Sequence, residues 1–162
     1  MTEQLHFECT INAPVNTVWD KMLEPESYKT WTAAFEPTSY YEGSWEEGSK
    51  IKFLASGGSG MTSRIVKNIP ERFISIEHLG EIHGGIEDTT SASVKQWTPA
   101  FENYTFAEQG NQTLLTIDLT MPASPASRAM KEMFETMWPK ALDILRELCE
   151  HSLSPNQHDI SK

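Results

Sequence analysis

The sequence predicts an α+β fold in which a curved antiparallel sheet wraps around one long C-terminal helix, with two short helices after the first strand. Three observations carry this expectation. Leu5, Phe7, Cys9 and Ile11 alternate with His6, Glu8, Thr10 and Asn12, the period of two that gives a strand one apolar face. From Glu36 to Met121 the chain breaks into about six short alternating segments separated by glycine-containing turns. Met130, Phe134, Met137, Ala141, Leu145 and Leu148 then recur at three- and four-residue steps, as on one face of a helix. Consecutive strands with short connections pair antiparallel, and a helix with a broad apolar stripe must bury it against them.

In order, the first strand stops at Ala13-Pro14, and Pro14 suits a helix start because its missing N–H is not needed there. Val15, Val18, Trp19 and Met22 follow at helical spacing. Pro25-Glu26 opens a second short helix carrying Tyr28 and Trp31. Strands are expected over 38–42, 50–55, 61–69 and 73–79, with turns at Gly43 to Gly48, Gly57 to Gly60 and Pro70-Glu71. The stretch from Gly80 to Pro99 is irregular and long enough for a lid or a dimer contact. Strands over 101–108 and 113–121 form a hairpin around Gln109-Gly110-Asn111. The last helix spans about 127–150. Pro139 inside it removes a backbone hydrogen bond and should kink the helix or mark its effective start. Residues 1–151 are expected to form one domain and residues 152–162 a polar, flexible tail.

Composition excludes several functions. The chain has 162 residues, a formal charge of −10 and only 13 Lys and Arg, scattered along its length. Phosphate backbones need clustered positive charge, so nucleic acid is not an expected partner, and anionic membranes would repel the chain. No run approaches the roughly 20 apolar residues needed to cross a bilayer, and the first residues have no signal-peptide pattern. Membrane insertion is not expected, and the expected location is cytoplasmic. Cys9 and Cys149 read as buried thiols in a reducing compartment.

The run Phe7-Glu8-Cys9-Thr10-Ile11-Asn12-Ala13-Pro14, followed by Val18-Trp19, resembles the opening of the START-like (SRPBCC, Bet v-like) helix-grip superfamily. Pro25-Glu26, Trp31, Gly43, Trp45-Glu46-Glu47-Gly48-Ser49, Gly60, Pro70 and the final Trp138, Ala141-Leu142 and Leu145 are similar to one branch, the activator of Hsp90 ATPase homologue family. The resemblance covers nearly the whole chain. It implies the helix-grip fold and a site for an apolar molecule, since superfamily members bind lipids, hormones and polyketides, and some are enzymes.

The expected function is therefore non-catalytic binding of a small apolar or amphipathic molecule between the last helix and the sheet. Two alternatives accompany it: a co-chaperone-like interaction module, and a cyclase- or hydrolase-like enzyme using the same pocket. Candidate lining residues are Trp31, Phe53, His78, Trp97, Tyr104, Met130, Met133, Phe134 and Met137. Aromatic and methionine side chains make adaptable apolar walls, and a few polar groups orient the ligand. His78, Tyr104 and Arg64 are the polar candidates, while Trp31 and Trp97 are placed at the mouth. The acidic and histidine run from Glu77 to Asp88 matches no compact ligand spacing, so no metal is expected. No Ser-His-Asp order or nucleotide-binding motif is present, and no cofactor is expected. A chaperone or a second copy of the chain is the candidate protein partner.

Overall fold

A computed structural model describes residues 1–151 of the chain. The tail expected at 152–162 lies outside the described residues. In order, the elements are β1 (Thr2–Ile11), α1 (Val15–Leu23), α2 (Pro25–Thr32), β2 (Tyr40–Gly43), β3 (Lys50–Ala55), β4 (Ser59–Ile69), β5 (Phe73–His83), β6 (Ile86–Asp88), α3 (Ala92–Lys95), β7 (Ala100–Gln109), β8 (Gln112–Pro122) and α4 (Pro125–His151). The eight strands form one antiparallel sheet in the order β1-β8-β7-β5-β4-β3-β2, with β6 paired to β5. The fold class expected from sequence is the one observed.

Strand pairing sorts the side chains onto two faces. Leu5 faces Leu119, Phe7 faces Ile117 and Cys9 faces Leu115 across β1 and β8. With Ile51, Ile65, Ile74 and Ile76 they form the buried face against which α1, α2 and α4 pack. The alternate residues His6, Asp118, Arg64 and Glu77 point the other way, into water. Pro14 caps α1, and Pro25 occupies the first turn of α2, where neither needs a backbone N–H.

Helix α4 starts well before Pro139 and runs through it. Proline there strips the Glu135 carbonyl of its usual donor. Both residues are exposed, so water can take that donor's place. The two halves differ in depth. Trp138, Ala141, Leu142, Leu145 and Cys149 are buried. Met130, Phe134 and Met137 are only half-buried, and Met133 is 43% exposed. Burial also pushes the Cys149 thiol up to about 12, which keeps it protonated and inert.

Candidate functional site

One irregularity in the sheet positions the polar groups of its concave face. Between β4 and β5, Thr62 pairs with Gly80 but Ser63 pairs with His78, leaving Leu79 without a partner. Such a bulge reverses the alternation of side chains. His78 and Glu81, three residues apart, consequently sit on the same face, opposite Ser63 and Met61. The close approach of β6 beside this bulge needs a glycine. A Cβ at Gly80 would lie 2.1 Å from the Asp88 carbonyl oxygen.

His78 stands at the centre of a hydrogen-bonded array. Its Nε2 lies 2.9 Å from Glu102 Oε1, and Ser63 Oγ lies 2.7 Å from its Nδ1. Tyr104 donates its hydroxyl proton to the other Glu102 oxygen. A carboxylate can only accept, which puts a proton on His78 Nε2; in the neutral ring Nδ1 then accepts from the Ser63 hydroxyl. Ser63, His78 and Tyr104 are buried, while the Glu102 side chain keeps 18% of its surface. Glu102 and Tyr104 share a face because they are two apart on β7, and pairing with β5 sets them beside Ile76 and Ile74.

Aromatic rings surround the array. Phe53 meets the His78 ring edge-on at 5.7 Å, and Tyr104 meets Trp138 at 6.3 Å. Toward the first half of α4, Trp97, Ala100 and Met121 form a second apolar cluster against which Met61 and Met130 pack. The Trp97 indole N–H donates to Glu81 Oε2 at 2.8 Å, tying the loop after α3 to the sheet. Met61, Met130 and Phe134 pack at the margins of the two clusters and are only half-buried, so the apolar interior is least covered there.

The structure brings Phe53, His78, Tyr104 and Trp97 to the concave face with Met130 and Phe134 of the helix packed on it, while Met137 is half-buried on the flank of α4. Trp31 is not at the mouth: it is 1% exposed and donates its N–H to the Met22 carbonyl. Met133 points outward. Arg64 lies on the convex face, paired with Glu77 at 2.9 Å. Sequence reasoning missed Ser63, Glu81 and Glu102. Glu102 had a signal, since it alternates with Ala100, Tyr104 and Phe106 on what is otherwise an apolar strand face. Depressions of ≈ 350 Å³ by Lys50, Thr62 and Leu79 and of ≈ 540 Å³ by His6, Asn103 and Asp118 lie on the convex side. Among the described residues, no cluster of three or more His, Cys, Asp or Glu could hold a metal ion.

Burial, and then the negative charge of Glu102, hold the phenols of Tyr104 and Tyr28 well above the usual 10. Above pH 10 the unfolded chain releases these protons and the folded chain retains them. Stability should therefore fall as pH rises past 10, by about 1.4 kcal/mol per pH unit for each tyrosine. Urea unfolding at stepped alkaline pH measures that slope, and Tyr104→Phe should remove one tyrosine's share. An unchanged slope in the variant would contradict this assignment.

Solved structures share this architecture. Protein MLL2253 from Mesorhizobium loti superposes with a TM-score of 0.72 at 14% identity, covering 92% of this chain and 98% of that one. Protein NE0264 from Nitrosomonas europaea gives 0.67 at 17% identity, covering 93% and 96%. EF2215 from Enterococcus faecalis, described as a conserved protein of unknown function, gives 0.63 at 17% identity, covering 91% and 71%. At such identities the likeness shows the fold alone. No curated protein matches the sequence. The sequence model of the "Activator of Hsp90 ATPase homolog 1-like protein" family matches residues 12–150, from the end of β1 to the end of α4. The chain belongs to that family.

Proposed function

We propose that the protein binds a small apolar or amphipathic molecule between the Met-rich half of α4 and the concave face of the sheet. The observation that carries this reading is the Ser63–His78–Glu102–Tyr104 array, an inward polar group on a face otherwise lined mainly by aliphatic and aromatic side chains, with methionines at its margin. Apolar walls with a few convergent polar groups are the usual make-up of a small-molecule site. The centre of the face is filled by Tyr28, Trp31 and Trp138, so the ligand enters at the half-buried end. Met61, Met130 and Met137 make that wall deformable, because an unbranched thioether repacks at little cost.

Binding is favoured over catalysis. Ser63, His78 and Glu102 have the order of a nucleophile, a base and an orienting carboxylate. However, Ser63 has no exposed surface and pairs with strands on both sides, with Ile51 on β3 and His78 on β5. A substrate carbonyl cannot reach its oxygen. A chaperone contact has only the family's description behind it. Among the described residues the exposed large apolar side chains are Met1 at the N-terminus, Ile69 on β4, Ile86 on β6 and Met133 on α4, no two of them on one element. Among the described residues no helix is long and apolar enough to cross a membrane. Cys9 and Cys149 as thiols suit the cytoplasm.

Methionine methyl NMR on the full chain tests the binding. Octyl and naphthyl compounds should shift the Met61, Met130 and Met137 signals and raise the melting temperature. Folded protein whose methionine signals ignore the whole panel at millimolar concentration would overturn the proposal.

A further inference from the structure

We infer that the polar end of the ligand is a positively charged hydrogen-bond donor, such as an alkyl or aryl ammonium group, and not a carboxylate. This rests on the binding site proposed above and specifies its chemistry. Every proton of the array points inward: Ser63 to His78, His78 to Glu102, and Tyr104 to Glu102. What remains for a newcomer is acceptor lone pairs. Of the groups that carry them, Ser63 and Tyr104 are shut off from the surface, whereas Glu102 is reachable. A ligand that docks on Glu102 must bring the donor.

Charge selects further. A buried carboxylate is normally balanced by a cation, yet none of the hydrogen bonds to Glu102 comes from a lysine or arginine. Its basic partner is the His78 imidazole, and the lysines and arginines found in ion pairs hold other carboxylates. Arg64 holds Glu77 on the convex face, Lys50 holds Glu87, and Lys131, beside Met130 on α4, is taken up by Glu3, which pairs with Met121. A second inward carboxylate, Glu81, accepts from the Trp97 indole and adds negative potential beside that ring. A ligand carboxylate would meet the like charges of Glu102 and Glu81, and the donors around them are already engaged on those carboxylates. An ammonium group would meet the Glu102 carboxylate, with the Phe53 ring beside the array and the Trp97 ring beside Glu81. The chain's charge of −10 draws the same ligands in from solution.

The test compares octylamine, 1-octanol and octanoate at pH 7.5, by calorimetry and methionine NMR, on the full chain and on Glu102→Gln. Octylamine should bind wild type at least tenfold more tightly than octanol, with octanoate weakest. Glu102→Gln should bring amine and alcohol to within about twofold of each other. Octanol or octanoate binding as tightly as octylamine overturns the inference and leaves the binding site standing. An amine preference that persists in Glu102→Gln also overturns it, by assigning the preference to overall charge. If none of the three binds, the site itself fails and the inference with it.

Discussion

Replacing Trp138 with alanine is expected to lower the free energy of unfolding by about 3–5 kcal/mol, as for other fully buried large aromatic side chains. Trp138 is 3% exposed and lies where the helix meets three other elements. Its ring is 6.2 Å from Phe7 on β1, 5.8 Å from Trp31 on α2 and 6.3 Å from Tyr104 on β7. Phe35, just beyond α2, lies edge-on at 5.0 Å. Removing the indole deletes the contact surface of all four rings at once. They come from separate elements fixed by their own hydrogen-bond ladders and helices, so the gap cannot close by a local shift. The Met-rich half of α4 supplies the control. Met133→Ala removes an exposed side chain and should change stability by no more than about 0.5 kcal/mol. Urea denaturation of the two variants decides the matter. Equal losses would mean that α4 is not anchored through Trp138.

What could be read from sequence, and what could not, divides along a physical line. Periodicity gave the alternating face of β1, the β7–β8 hairpin and the long stripe of α4, because a repeat of two or about 3.6 follows from backbone geometry alone. The direction of a given side chain needs register as well, and register at His78 depends on a bulge that leaves Leu79 unpaired. No local pattern announces that bulge, and simple alternation sets residues three apart, such as His78 and Glu81, on opposite faces. Arg64 fell on the wrong side for the same reason: its neighbour Ser63 is the one that faces inward. A tryptophan N–H needs a partner, and sequence does not say where Trp31 finds one. Its partner is the Met22 carbonyl, in the last turn of α1. Pro139 was a genuine ambiguity, resolved by where its ring points. An exposed proline lets the helix continue with one carbonyl given to solvent.

Glu102 is the residue whose replacement should separate shape from hydrogen bonding. Glu102→Leu keeps much of the volume but leaves the His78 Nε2 proton and the Tyr104 hydroxyl facing an apolar group. Each buried donor left unmet costs about 1–3 kcal/mol, so the variant should lose about 2–5 kcal/mol. Glu102→Gln should lose about half as much. Its amide oxygen still accepts from His78 and its amide nitrogen can donate to the Tyr104 oxygen, so the Tyr104 proton alone is orphaned, one buried donor in place of two. The double variant Glu102→Leu with Tyr104→Phe should recover about 1–3 kcal/mol relative to Glu102→Leu alone, because one orphaned donor disappears. Chemical denaturation of the three variants gives the cycle directly. If leucine and glutamine prove equally tolerated, the array contributes no net hydrogen-bond energy to the fold. Glu102 would then be an inward carboxylate that the fold does not need, and its place in the site would have to be explained by the ligand alone.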